Sequence, residues 1–583
     1  MTPLASGPDL IRVGNCSGFY GDRISAMREM LEGGELDVLT GDYLAELTML
    51  ILGRDRMKHP ELGYAKTFVR QLEDCLGLAL DKGVRIVANA GGLNPAGLAA
   101  RLRELAAELG LPATVAHVEG DDLAPRAAEL GLGEPLTANA YLGAWGIVEA
   151  LRSGADVVVT GRVTDASVIV GPAAAHFGWR RTDYDALAGA VVAGHVIECG
   201  TQATGGNFSF FREIPDMSRP GFPLAEIRRD GSSVITKHGG TAGAVTVDTV
   251  TAQLMYEIQT ARYANPDATA RLDTIALAQD GPDRVAITGV QGEPPPPDLK
   301  VSLNTLGGFR NEMTFVLTGL DIAAKADLTR RQLESWLPTR PAELTWDLAR
   351  VDRADAPTQQ QASALLTCAV RDPDPDVVGR AFSNVAVELA LAGYPGATLT
   401  SMPGVASPYG VFAAGYVDRG TVPHVAVLPD GARVDIPPAG ETRVLEPVPD
   451  PAPPAGGEDG DGPTRRVPLG AVAAARSGDK GGNANIGVWV RTDAQWWWLS
   501  RALTVDALRG MLPETEGLPI TRTLLPNLRA VNFVIEGILG QGVAYNARFD
   551  PQAKGLAEWL RSRRIDMPAS VADTGIDVEE SAL

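Results

Sequence analysis

The sequence predicts an α/β protein: a large, mostly parallel-sheet N-terminal body with a strand-rich second half, followed by a small C-terminal α+β domain. Three observations carry this. Short β-branched runs alternate with Ala/Leu-rich helical stretches from Leu10 to Val170. From about Ser209 the pattern turns strand-rich, with a subdomain break near 205–295 that includes the tract GEPPPP at Gly292–Pro297. The segment Glu446–Arg466, EPVPDPAPPAGGEDGDGPTRR, has no apolar periodicity and reads as a linker. The expected division is therefore a body at 1–445, a linker at 446–466 and a small domain at 467–583.

In the body, the pairs are Leu10–Val13 with Ile24–Leu31, Asp37–Thr40 with Tyr43–Leu52, and Val84–Ala88 with Gly97–Leu109, each a strand followed by a helix. Further strands are expected at Thr114–Val118 and Asp156–Thr160. In the second half, Ala225–Lys237, Ala244–Val250, Arg284–Val290 and Met313–Gly319 read as strands. After the linker, strands are expected at Val467–Ala474, Ala484–Val490 and Arg529–Ile535, with helices at Thr504–Met511 and Gln552–Arg563. The run Trp496–Trp498 cannot turn all three rings toward one core, so at least one ring is expected against another domain or subunit.

Composition narrows the function. With 583 residues and 45% apolar content the chain can build several cores without staples. Its net charge of −20 argues against nucleic acid or an anionic membrane surface as partner. The four cysteines, Cys16, Cys75, Cys199 and Cys368, are far apart and suggest neither disulfides nor a structural zinc. With no signal peptide pattern and no apolar stretch of about 18 residues, a cytoplasmic protein is expected.

The chemistry lies in polar loops that follow strands. Gly14-Asn-Cys-Ser17-Gly18-Phe-Tyr-Gly-Asp22-Arg23 sits between a strand and a helix, where backbone N–H groups can cradle an anion, or Asp22 can cap a tight turn. Its GxxxGxxG spacing departs from the dinucleotide fingerprint, and there is no GxxxxGK[ST] loop, so no cofactor is predicted. Thr40-Gly-Asp42-Tyr43, Asn89-Ala-Gly-Gly-Leu-Asn94 and Thr160-Gly-Arg162-Val-Thr-Asp165 also follow strands. In open α/β sheets ligands bind beyond the strands' carboxyl ends, so these loops are expected to converge.

His195-Val-Ile-Glu198-Cys199-Gly-Thr-Gln202, running on to Asn207, offers a base, an acid and a thiol. A thiolate at a helix C-terminus is disfavoured, and His195 with Glu198 supplies too few ligands for a metal site, so none is predicted. Lys237-His238-Gly-Gly-Thr241 brings two cationic candidates on a loop that suits a hairpin or a phosphate. Arg476-Ser-Gly-Asp479-Lys480-Gly-Gly-Asn483-Ala-Asn485 joins two strands, and either forms an ordered hairpin or reaches across to complete a site.

Taken together, GNCSGFYGDR, LTGDYLAE, NAGGLNP, VTGRVTDAS, ECGTQATGGNFS and GGTAGAVTVDTVTAQLMYEI, with Tyr263 and Asn265-Pro-Asp267 after them, resemble the acyclic terpene utilisation (AtuA) family. ARSGDKGGNANIG and NFVIEGIL resemble the ferredoxin-fold domain that accompanies it. The resemblance implies a place in the breakdown of acyclic terpenoids such as citronellol and geraniol through branched acyl-CoA intermediates, and assigns no residue a role.

The expected activity is that of a lyase, hydratase or thioester hydrolase acting on an acyl-CoA thioester or related acid. Asp42, Asp165, His195 and Glu198 are its proton-moving candidates. Gly14, Ser17, Gly18, Asp22, Arg23, Asn89, Asn94, Arg162, Gln202, Asn207, Lys237, His238 and Thr241 are its binding candidates. The alternative is a non-catalytic partner of carboxylase or hydratase subunits in the same pathway. A small-molecule substrate and a homo-oligomer are expected, with no nucleic acid and no membrane.

Overall fold

A computed structural model of the chain describes residues 9–451 and 463–576. The elements begin β1 (Leu10–Asn15), α1 (Ala26–Gly33), β2 (Val38–Gly41), α2 (Glu46–Lys58), α3 (Lys66–Lys82), β3 (Arg85–Ala88), α4 (Pro95–Glu108) and β4 (Val115–Glu119). They continue with β5 (Thr137–Ala140), α5 (Trp145–Arg152), β6 (Val157–Thr160), α6 (Ser167–Phe177) and α7 (Tyr184–Ile197). Five strands pair in parallel in the order β1-β2-β3-β6-β4.

Antiparallel strands widen this core on both edges into an eleven-stranded sheet. On one side β7 (Pro223–Arg228) pairs with β1, followed by β8 (Ser233–Lys237), Val285–Thr288 and Ala276–Gln279. On the other, Val425–Val427 pairs with β4 and carries Arg433–Asp435.

The period of two along each strand sends alternate side chains to opposite layers. Val157 and Val159 pack with Met27, Leu72 and Leu102 of α1, α3 and α4, whereas Val158 packs with Ile147, Ile169 and Val192 of α5, α6 and α7. In α7 every residue from Ala186 to Ile197 is buried, so the helix is apolar all round. Among the described residues no helix is long and apolar enough to cross a membrane.

The C-terminal region is the ferredoxin-like domain expected: an antiparallel sheet of Ala474–Lys480, Asn483–Trp489, Ala530–Ile535 and Ile520–Leu525, in that order. Ile486, Val488, Val531 and Phe533 share a core with Leu508 and Leu560 from its helices. All three tryptophans meet that same core. Trp496 and Trp498 are buried in it and the half-buried Trp497 packs against it beneath Arg501. Their helix, Asp493–Ala502, is short, and wide indole rings reach the core from its flanks; no second domain is needed to hold the third ring.

Three strands expected from β-branched content fall differently. Ala225–Lys237 is the hairpin of β7 and β8, turned between Arg228 and Ser233. Ala244–Val250 is a loop leading into α8 (Val247–Leu254), because Thr246 and Thr249 form a reciprocal capping box that starts a helix. Val467–Ala474 is broken by a single 3-10 turn at Leu469–Ala471, between the strands Thr464–Pro468 and Ala474–Lys480. Of the linker stretch 446–466, residues 452–462 lie outside the described residues and 464–466 are strand.

By its internal contacts the chain divides into two compact units: 1–304 with 412–543 and 550–583, and 305–411 with 544–549. The second has its own core, in which Phe315, Leu317 and Leu366 of its sheet pack on Leu333 and Phe382 of two helices.

Candidate functional site

The loops after β1, β2, β3 and β6 meet the end of α7, and buried side-chain amides draw them together. Asn15 Nδ2 donates to the carbonyls of Ser17, Ile197 and Glu198 at 2.9, 2.9 and 2.8 Å. Asn89 Nδ2 donates to Asp42 Oδ1 at 2.5 Å, while its Oδ1 accepts from the Tyr43 amide at 2.7 Å. Asp42 N donates to the Ser17 carbonyl at 3.0 Å. The convergence of strand ends is thus held by the side-chain amides of Asn15 and Asn89 and by a backbone bond between the first two loops.

Arg162 and Asp165 form the next layer. The guanidinium is 3% exposed, lies 4.3 Å over the Tyr141 ring, donates to the Leu44 carbonyl at 3.2 Å and faces Asp165 Oδ1 at 3.0 Å. Burial works against its charge, but Asp165, Tyr141 and Asp42 hold it above its ordinary value. Behind it, Asp121 accepts from the Arg162 amide and from Asn139, both at 2.8 Å, and burial raises its pKa to about 7.

His195 and Glu198 sit one turn apart at the end of α7, Nδ1 to Oε1 3.5 Å, with the imidazole 4.8 Å from the Tyr263 ring. Both are nearly sealed, at 1% and 4% exposure. Neither ring nitrogen of His195 makes a well-aligned hydrogen bond, although the Gln253 and Tyr256 backbones lie close enough to favour its charged form; nor do Glu198 Oε2, Arg162 Nε and Asp165 Oδ1, whose 3.0 Å approach to Arg162 is an unaligned ion pair. Buried polar atoms are seldom left unmatched, and these are grouped where ligands bind in this fold class.

Burial sets the protonation states. It drives His195 down to about 4, assisted by Lys480, and pushes Glu198 well up, assisted by Asp165 and Asp42. Burial followed by Asp165 raises Asp42 to about 8 against the pull of Arg162. Burial thus favours the neutral form of each group: the uncharged imidazole of His195 and the protonated carboxyls of Asp42 and Glu198. Cys199 is pushed well up by burial and then by Glu198, so it stays a thiol.

The Asp42 shift has a testable sign. Its carboxyl keeps a proton up to about pH 8 in the fold, while the unfolded chain releases it near pH ~4. The stability owed to this proton is complete below the lower value and is lost as pH rises to the upper, by up to about 1.4 kcal/mol per pH unit. Asp42→Asn is expected to gain on wild type across this window in denaturant titrations; parallel curves would show that Asp42 ionises freely.

The C-terminal region packs against the segment that follows α8. A Cβ on Gly478 would lie 2.4 Å from the Tyr256 ring, and one on Gly487 would lie 2.5 Å from Met255 Cβ and 2.8 Å from its carbonyl oxygen. These glycines let the sheet rest directly on Met255–Glu257. Asn485 locks the contact, accepting from the Glu257 amide and donating to the Met255 carbonyl, both at 2.8 Å. Glu257 adopts φ +56°, a strained geometry for a non-glycine residue. Gly487→Ala is expected to lower stability by about 1–3 kcal/mol, since Met255 backbone cannot yield as a side chain would; calorimetry on the full chain measures this.

The structure brings Asp42, Asn89, Arg162, Asp165, His195 and Glu198 into one cluster. Gln202 borders it, its Oε1 taking a hydrogen bond from Arg476, whose Nη1 also reaches the Asn207 carbonyl at 3.5 Å. Other candidates have local engagements. Gly14 is within β1, where a Cβ would strike Met30 and Leu36. Ser17 Oγ bonds the Phe19 carbonyl at 3.0 Å.

The N–H groups of Cys16, Gly18, Asp22 and Arg23 are already bound, to Thr40 O, Asp22 Oδ2, Phe19 O and Asp22 Oδ1. Arg23 pairs with Glu29 at 2.9 Å, and Asn94 caps α4 through the Gly97 amide. Lys237 bonds the Thr241 carbonyl at 2.7 Å and Asp283 at 3.1 Å, Thr241 Oγ1 bonds the His238 carbonyl at 2.8 Å, and His238 bonds the Met30 carbonyl at 3.0 Å.

Sequence reasoning passed over Asp121 and Tyr141, and left Asn15, Tyr256 and Glu257 inside family motifs without a role. Tyr263 stood in a family motif without a role, and Lys480 in a loop read two ways. That loop is an ordered hairpin, Lys480 opposite Asn483, and the lysine's charge helps lower the His195 pKa. Among the described residues no group of three His, Cys, Asp or Glu side chains is arranged to hold a metal ion.

Comparison with known proteins agrees with the architecture. Residues 467–566 match the AtuA ferredoxin-like domain, and residues 11–428 match the acyclic terpene utilisation family protein AtuA. No curated protein and no solved structure matched. With most of the chain covered by the match over residues 11–428, and every residue of the buried cluster inside it, the chain belongs to the acyclic terpene utilisation family AtuA.

Proposed function

We propose that the buried cluster is an acid–base centre that adds or removes water across a carbon–carbon double bond in a branched, terpenoid-derived acyl thioester or its acid. The observation that carries this reading is the His195–Glu198 pair, both nearly sealed, 3.5 Å apart, with unpartnered atoms on both residues beside the Arg162–Asp165 ion pair; burial favours the neutral form of each.

A neutral imidazole accepts a proton and a protonated carboxyl gives one. In hydration, His195 takes a proton from water as its oxygen bonds to the β-carbon. The π electrons of the double bond move toward the acyl oxygen, and the α-carbon then takes the proton of Glu198. The result is imidazolium beside carboxylate, and one proton passing back across the His195–Glu198 contact restores both. Elimination runs these steps in reverse. A covalent thioester route finds less support, since Cys199 stays protonated.

The test is incubation of the purified protein with branched enoyl-CoA thioesters, their 3-hydroxy counterparts and the free acids, in heavy-oxygen water and separately in deuterium oxide, with products read by mass spectrometry. Incorporation of label is the expected result. No incorporation, and no exchange at the α-carbon across the panel, would sink the proposal and favour a non-catalytic partner.

A further inference from the structure

Two arginines line one small cavity of about 50 Å³ beside the start of α5, and its wall holds no residue of the acid–base cluster. Arg419 is 9% exposed. Its Nε and Nη1 donate to the carbonyls of Pro297 and Pro266 at 3.3 and 3.1 Å, and its Nη2 donates to that of Pro296. Arg181 lies 5.0 Å over the Trp145 ring and donates through Nη1 to the Pro437 carbonyl at 2.5 Å. Every one of these partners is neutral. Among the described residues neither guanidinium has an ion pair, although a buried arginine is seldom without one.

The other polar groups of the wall are committed elsewhere. Asp267 is its one carboxylate, and Oδ2 accepts from the Ala144 amide at 2.8 Å. His424 Nε2 accepts from the Gly146 amide at 3.2 Å, and burial, aided by Arg181, holds the ring down at about 3. Glu149 acts on Arg181, and Asp298 and Asp418 on Arg419, from beyond ion-pair distance; burial outweighs them and keeps both guanidiniums below their ordinary value. The wall thus sets two positive groups against one negative. Each guanidinium carries five N–H donors, of which Arg419 gives three to the protein and Arg181 one. One water occupies about 30 Å³ of the liquid, so the space suits a single compact ion and excludes a nucleotide or a sugar.

We propose that this cavity binds one compact monovalent anion, chloride or a one-carbon carboxylate such as formate, between Arg181 and Arg419. The shared chemistry is a single negative charge small enough to enter and able to accept from both guanidiniums. Such an ion joins the turn between α6 and α7 to the segment that leads into the strand Val425–Val427. The site stands independently of the acid–base reading.

The test is thermal unfolding of the full chain at constant ionic strength, with sodium chloride or sodium formate replacing sodium gluconate, whose anion is too bulky for the cavity. The unfolding temperature is expected to rise and then saturate as one site fills. Arg181→Gln is expected to need about tenfold more anion, or greater, for the same rise. In gluconate this variant is expected to unfold close to wild type, because Arg181 contributes one backbone bond and one ring contact. Saturation by chloride alone, by formate alone or by both supports the site and identifies its ion. A rise that never saturates, or that is equal in the two proteins, is a bulk salt effect and overturns it. Crystals of wild type grown in the saturating anion, with bromide standing in for chloride, give a reading independent of any variant: density for the ion between Arg181 and Arg419 supports the assignment, and density only elsewhere overturns it.

Discussion

Replacing Arg162 by methionine is expected to lower the unfolding free energy by about 3–5 kcal/mol, the range seen when one partner of a buried ion pair is removed. The guanidinium is 3% exposed and engages three different groups: the Asp165 carboxylate, the Leu44 carbonyl and the face of Tyr141. Methionine fills much of the volume but leaves Asp165 without a counter-ion and the Leu44 carbonyl without this donor. Lysine is not expected to rescue, because a single ammonium cannot lie flat on the ring while bonding in two directions.

The measurement is urea denaturation with an unchanged slope. The control is Arg162→Met combined with Asp165→Asn, which leaves neither charge and is expected to recover part of the loss. If the single variant loses less than about 1 kcal/mol, the pair behaves as a solvated surface pair and cannot organise a dry site.

Glu198→Gln is expected to cut water addition by about a hundred- to ten-thousandfold, the usual contribution of a positioned acid, with the effect in kcat. Stability is expected to stay within about 1 kcal/mol of wild type, because Glu198 is protonated in the fold and glutamine is a neutral group of the same shape. That combination separates a proton-transfer role from a packing role, for which the amide would serve equally well. The same assignment fixes the pH profile. His195 must be neutral to accept a proton, so activity is expected to fall as pH drops toward about 4, the value to which burial lowers the ring. An acid limb near the ordinary histidine value would mean that the ring is solvated in the working enzyme, and unchanged kcat in Glu198→Gln would remove it as the acid.

Much of this architecture could be read directly from the residues. The βα units of the first half are local: a short β-branched run buried on both faces, a polar turn, then a helix, so β1, β2, β3, β4 and β6 all fall where periodicity places them. The pairing of His195 with Glu198 is local too, since residues three apart on a helix face each other. Where periodicity misled, a local competitor decided: a threonine capping box made α8 from β-branched residues, and α7 shows no amphipathic stripe because it is buried all round.

The site itself was legible as a set of loops, not as a geometry. Residue type and position after a strand selected Asp42, Asn89, Arg162 and Asp165 as candidates, and equally selected Lys237, His238 and Thr241, whose polar groups bond elsewhere. Nothing in a linear string separates the two groups.

The sequence by itself determined the family, the alternating α/β body, the small second domain and the loops that carry polar chemistry, because each depends on near neighbours in the chain. Only the tertiary structure decided which loops meet in one buried cluster, and that burial there favours the protonated carboxyls of Asp42 and Glu198 and the neutral ring of His195. Those properties come from burial and from through-space charge, and both depend on what the fold packs around a residue rather than on what lies beside it in the chain.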